Sequence, residues 1–183
     1  MTELKHLAGE LGVHERTLRR AVEQGTLRGK RPSPRTLDLS LAERRYTRQA
    51  WPLLSALRGA LRTEQNVRFA LLFGSAATGD DMPSSDVDVL VDLCDDSLER
   101  IVDLQTKLTA DVGRQIDLVR LSDAERDPAF LGAALADGRV LVDRKQLWPR
   151  LRRRQASIRR HGHAQERRRT RDALAGIDRV IAG

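Results

Sequence analysis

The side chains best suited to chemistry lie in one stretch, LLFGSAATGDDMPSSDVDVLVDL, residues 71–93. An apolar run ends there in Gly74-Ser75; ten residues intervene before Asp86, and Asp88 follows after one aliphatic residue. On an extended strand, positions i and i+2 project from the same face, so these two carboxylates can share divalent metal ions. Asp117, in QIDLV, falls on the next predicted strand and can join them as a third. Carboxylates converging in a well-patterned sheet are costly unless a cation neutralises them. A set of hard oxygens without His or Cys alongside suits magnesium best. Gly74 lets a phosphate approach the backbone, and Ser75, at a strand-to-helix turn, offers a hydroxyl and an N–H to phosphate oxygens. A triphosphate on one side and paired carboxylates on the other describe a two-metal nucleotidyl-transfer site.

A sheet must hold these groups. Short apolar or alternating runs predict strands at Val67–Phe73, Asp86–Leu93, Gln115–Val119 and Arg139–Asp143. Helix-period segments fill the gaps, with Leu98, Ile101, Val102, Gln105 and Leu108 in one and Phe130, Leu131, Ala134 and Leu135 in another, so residues 66–143 read as an α/β unit. Upstream, Ser40 and Glu43 form a capping-box pattern that opens a helix reaching about Arg62, with Leu53, Leu54, Leu57 and Leu61 as its apolar stripe. Pro52 implies a kink or restart within it. From Arg144 onward two helices are expected, separated near Gly162, and residues 159–171 contain no aliphatic side chain larger than Ala.

The first 39 residues form a module of their own. LKHLAGELGVHERTLRRAVEQGTL predicts two short helices about Gly12 and resembles a helix-turn-helix of the excisionase or MerR-like kind. Arg16, Arg19 and Arg20 occupy i, i+3 and i+4 of the second helix, where base edges and phosphates of double-stranded DNA would lie. Residues 27–39, broken by Pro32 and Pro34, are a loop or small hairpin, and Lys30, Arg31 and Arg35 would form a wing on phosphate.

Charge follows the same divisions. Residues 1–65 carry 13 basic and 7 acidic side chains, residues 66–143 carry 7 and 16, and residues 144–183 carry 13 and 3. An acidic metal-binding middle between two basic segments explains that separation better than a uniform surface does. The chain of 183 residues is 40% hydrophobic, enough for a core, but only 3% aromatic, which argues against stacking-based recognition of single-stranded RNA. No apolar run approaches the roughly 20 residues of a membrane span, and MTELKHLAGELG lacks the continuous apolar core of a signal peptide. A cytoplasmic protein without membrane contact is expected. The single cysteine, Cys94, excludes an internal disulfide and a thiolate metal site, and reads as a small packed side chain. His6, His14, His161 and His163 have no metal-binding spacing, and Trp51 and Trp148, each before a proline, read as packing anchors.

Gly74-Ser75-x10-Asp86-x-Asp88 with Asp117 downstream resembles the nucleotidyltransferase superfamily related to DNA polymerase β. Within it, the resemblance is to the minimal nucleotidyltransferase (MNT) antitoxins of HEPN/MNT toxin–antitoxin pairs, and it covers roughly residues 66–143. It implies a mixed sheet flanked by helices over residues 66–143; with the helix-turn-helix module of residues 1–39, a linking or dimerisation helix over 40–65 and a basic helical tail over 144–183, it completes the expected organisation. It further implies that Asp86 and Asp88 ligate both magnesium ions, that Asp117 holds the ion activating the attacking hydroxyl, and that Gly74 and Ser75 position the triphosphate of ATP. One departure stands out: many members carry Arg or Lys shortly after the Gly-Ser pair, where this chain reads Ala-Ala-Thr78-Gly79. Arg68, Arg114 and Arg120 are the candidate replacements. The implied function is AMP transfer to a small helical HEPN-type toxin by a DNA-binding, autoregulating antitoxin that forms homo- or hetero-oligomers. The alternatives are a catalytically silent repressor on the same scaffold, or nucleotidyl transfer to a small molecule or tRNA.

Overall fold

The computed structural model describes residues 3–33, 36–82 and 84–181. Helices α1 (Glu3–Glu10) and α2 (Glu15–Glu23) pack through Leu4, Leu7, Ala8, Leu18 and Ala21, and Gly12, at φ 65°, makes the turn between them. Strands β1 (Lys30–Ser33) and β2 (Thr36–Asp38) form the hairpin alternative, tied to the core by buried Leu37 and Leu39. Pro34 and Arg35 lie outside the described residues.

Helix α3 (Leu41–Thr63) begins where Ser40 Oγ accepts the Glu43 N–H at 3.1 Å. It runs through Pro52 as one element, so of the kink or restart expected there the restart does not occur. Tyr46, Ala50, Trp51, Leu54, Leu57 and Leu61 are buried on both sides of the proline, and that packing carries the helix past the missing N–H.

The remaining elements are β3 (Val67–Phe73), α4 (Ser75–Thr78), β4 (Val87–Leu93), α5 (Leu98–Val112), β5 (Ile116–Arg120), α6 (Leu121–Ala124), α7 (Pro128–Asp137), β6 (Arg139–Asp143) and α8 (Leu147–Ile181). The four longer strands form a mixed sheet in the order β5-β4-β3-β6, with β4 and β5 parallel and the other pairs antiparallel. Strand alternation divides the core between its faces. Ala70, Leu72, Val87, Val89, Val91 and Ile116 meet α3, α5 and the N-terminal helices on one side; Phe69, Leu71, Phe73 and Leu90 meet α6, α7 and α8 on the other. This is the expected mixed α/β architecture.

Two contacts tie distant segments to the sheet. The edge of β6 is covered by residues 25 and 26: Val140 N–H donates to the Gly25 carbonyl at 3.1 Å, and Thr26 Oγ1 donates to the Val140 carbonyl at 2.6 Å. Arg144, just after β6, donates to the carbonyls of Leu61, Arg62, Glu64 and Val67 at 2.5–3.2 Å, supplying partners to the otherwise open end of α3.

Helix α8 corrects the expectation of a break near Gly162. Asp143 starts it by accepting the Leu147 and Trp148 N–H groups at 2.8 and 2.9 Å, and it continues unbroken through Gly162. A Cβ at Gly162 would lie 2.6 Å from Ala129 Cα, so this glycine permits a close crossing with α7 and does not end the helix. Among the described residues no helix is long and apolar enough to cross a membrane.

Candidate active site

The end of β3 and the start of β4 meet where the sequence places its chemistry. Phe73 is the register partner of Asp88, and Asp88 is in turn the parallel partner of Asp117 on β5. Both acids lie on the sheet face that carries Phe73 and Leu90. Asp88 is half-buried and Asp117 exposed; Asp86 is also exposed, one residue before β4 begins, so it approaches from the incoming loop. Like charges side by side in neighbouring strands repel. Burial pushes the Asp88 carboxyl above the ordinary carboxylate range, and the charges of Asp117 and then Asp86 push it further.

Gly74 closes the turn after β3 at φ 69° and ψ −157°, backbone that only glycine adopts readily. A Cβ there would run into the Asp88 carboxylate. The turn that would receive phosphate and the carboxylates that would hold a cation are therefore in direct contact. Ser75 Oγ has no protein partner among the described residues, while the Ser75 carbonyl accepts from Gly79 N–H, Asp80 N–H and the Thr78 hydroxyl.

A buried polar cluster supports this turn from beneath. Arg139 Nε–H donates to the Ala77 carbonyl at 2.6 Å, and the Tyr46 hydroxyl donates to the Ala76 carbonyl at 3.0 Å. The Arg139 guanidinium stacks 3.4 Å above the Tyr46 ring and pairs with Glu43 at 2.6 and 3.1 Å. Burial pushes the Tyr46 phenol up to about 12. None of these three residues was singled out for the site from sequence. Glu43 carries only half of a capping box: its N–H meets Ser40, but its carboxylate turns inward to Arg139 and the Arg28 N–H. The usable signal was Arg139 itself, an arginine opening an otherwise apolar strand.

The candidate replacements for a basic residue near Thr78 are engaged elsewhere. Arg68 stands at the opposite end of β3 from Gly74 and forks onto Asp92 at 2.8 and 2.5 Å. Arg120, level with Val91, bonds Asp123. Arg114 is nearer, bracing the loop before β4 through Asp81 and the Ser85 carbonyl, both at 2.7 Å.

A divalent cation fits the donor chemistry: hard carboxylate oxygens, one pushed toward its neutral form by burial and then by its acidic neighbours, beside a turn that excludes any side chain. Among the described residues no three acidic, imidazole or thiolate groups stand close enough together to hold a metal ion; the sheet register brings together only Asp88 and Asp117, with Asp86 on the preceding loop.

The residues proposed for DNA divide by position. Arg16 and Arg20 are exposed and line a cleft between α2 and α3; Arg19 is half-buried, 3.5 Å from Glu15. Lys30 and Arg31 are exposed on β1, with Arg31 paired to Glu23 at 2.8 Å.

Residues 56–147 match the family described as Polymerase beta, Nucleotidyltransferase. No curated protein sequence matches the chain. A chain from an MntA toxin–antitoxin crystal structure bearing two Asp-to-Glu substitutions is similar at 20% identity and a TM-score of 0.52, over 68% of this chain and 98% of that one. A tri-AMPylated HEPN toxin of Shewanella oneidensis in complex with MNT antitoxin gives 19% identity and a TM-score of 0.49, over 70% and 98%. A toxin–antitoxin complex with AMP-PNP gives 20% and 0.45, over 72% and 98%. The first of these supports the fold assignment.

Proposed function

The chain belongs to the polymerase β nucleotidyltransferase family, and from that premise we propose that it transfers AMP from ATP to a small helical HEPN-type toxin, acting as the antitoxin of the pair. The observation that carries this reading is the direct apposition of Gly74 and Asp88, which joins a phosphate-accepting turn to the carboxylates. The acceptor class comes from the resemblance of the Gly-Ser and Asp-x-Asp motifs to MNT antitoxins.

In this reading Asp86, Asp88 and Asp117 hold magnesium, which when bound neutralises the triphosphate and lowers the cost of deprotonating the acceptor. Gly74 brings backbone against the phosphates and Ser75 contributes its hydroxyl. Arg139 and Tyr46 fix the turn by taking its carbonyls. The acceptor hydroxyl oxygen bonds to the α-phosphorus as the bond to pyrophosphate breaks, and the hydroxyl proton is released. Arg16, Arg19, Arg20, Lys30 and Arg31 would bind operator DNA and let the protein repress its own expression.

The test is incubation of the full chain with labelled ATP, magnesium and a HEPN-type protein encoded beside it. Label should appear on the toxin and vanish with Asp86→Asn or Asp88→Asn. Transfer surviving both substitutions would sink the mechanism, and absence of transfer from any nucleotide would favour a silent scaffold. For DNA, changing Arg16, Arg19 and Arg20 together to Ala should abolish a promoter gel shift at moderate salt, and unchanged binding would refute the assignment.

A further inference from the structure

A second concave surface lies between α2 and α3, apart from the carboxylates. The cleft encloses about 790 Å³, within the range of small-molecule sites. Arg16 and Arg20 stand one turn apart on α2, facing Arg58 and Arg62, one turn apart on α3, with buried Trp51 forming part of the wall.

These arginines differ from others in the chain. Arg44, Arg68, Arg114 and Arg139 pair with Glu3, Asp92, Asp81 and Glu43. In the cleft, Arg58 donates to two neutral acceptors, Thr26 Oγ1 at 2.6 Å and Gln24 Oε1. Among the described residues no carboxylate pairs with Arg16, Arg20, Arg58 or Arg62, and the one acid in the wall, Glu15, lies beside Arg19 instead. Burial, and then the charge of Arg62, depress the Arg58 pKa, so the cationic form is held there at a cost. Uncompensated guanidinium groups facing one another across a cleft call for an anion, and their planar forks match phosphate oxygens.

We infer that the α2–α3 cleft is a binding site for a phosphorylated ligand of nucleotide size, separate from the catalytic carboxylates. Phosphates lie between the two arginine pairs, and Trp51 closes the wall behind them. The site shares Arg16 and Arg20 with the surface proposed for DNA, so an occupied cleft and a bound duplex compete. The inference does not depend on nucleotidyl transfer.

Calorimetric titration tests it, using the full chain with Asp86→Asn and Asp88→Asn, free of divalent ions so that the carboxylate site is silent. Tripolyphosphate and ATP should each bind saturably, one molecule per chain. Adding Arg16→Ala and Arg62→Ala, at exposed positions whose side chains have no hydrogen-bond or ion-pair partner among the described residues, should weaken binding about tenfold or more with the circular-dichroism melt unchanged. Arg20→Ala alone should weaken it in the same direction. Absence of saturable binding, or binding undiminished by these changes, overturns the inference. A third arm adds a short DNA duplex: displacement by tripolyphosphate supports the shared site, whereas duplex binding that neither tripolyphosphate nor ATP displaces assigns the arginines to the nucleic-acid backbone and overturns it.

Discussion

Arg139 and Glu43, 96 positions apart, form a buried two-point ion pair at 2.6 and 3.1 Å beneath the turn that follows β3. Removing one partner strands the other charge in the core. Arg139→Leu should cost about 3–5 kcal/mol in urea unfolding and lower nucleotidyl transfer by releasing the Ala77 carbonyl. Arg139→Met combined with Glu43→Leu should be clearly less destabilising than either change alone, because no charge is then left unpaired.

Asp88 predicts a pH dependence. Its folded pKa is raised, so the stabilisation linked to its proton is fully present below the unfolded value, about 3.9, and is lost as pH rises through the folded value. The metal-free protein should therefore lose stability from acid toward neutral pH relative to Asp88→Asn. At pH 7 the variant should melt at a higher temperature than the parent chain. Magnesium should raise the melting temperature of the parent chain and leave that of the variant nearly unchanged, both readable by thermal-shift measurement.

Gly74→Ala combines a strained backbone with a Cβ aimed at the Asp88 carboxylate. The strain costs about 1–3 kcal/mol, visible in denaturant unfolding. Displacement of the turn should reduce nucleotidyl transfer about 100-fold, a larger effect than the stability loss alone explains.

Gly162→Ala and Gly59→Ala separate helix propensity from packing. Each gains about 1 kcal/mol of intrinsic helix preference. At Gly59 nothing lies within 4 Å of a new Cβ, so Tm should rise; at Gly162 the Cβ meets Ala129 Cα at 2.6 Å, and Tm should fall.

What sequence reveals here depends on range. Val67–Phe73 and Arg139–Asp143 are legible to the residue because apolar runs report burial directly, and the Gly-Ser and Asp-x-Asp spacing locates the turn and the acids. Asp86 and Asp88 share a strand face only in part, since the loop before β4 carries Asp86. Glu43 satisfies the local pattern of a capping box, but a buried arginine 96 positions away competes successfully for its carboxylate. Gly162 reads as a helix end because sequence does not display the opposing α7. Pro52 reads as a kink or restart, and the burial that excludes the restart is tertiary. In each case the local signal was sound and a distant partner outweighed it.

The arginine that follows β6 sets an order of assembly. The end of α3 and the start of β3 gain the guanidinium that bonds four of their carbonyls only when residue 144 has been synthesised, and residues 25 and 26 acquire their sheet contacts only when β6 exists. The amino-terminal helices thus leave the ribosome first but finish docking late, after the final strand has joined. A nascent chain halted before residue 139 would hold an unclosed α3 and an exposed β3 edge, the state most open to chaperones and proteases.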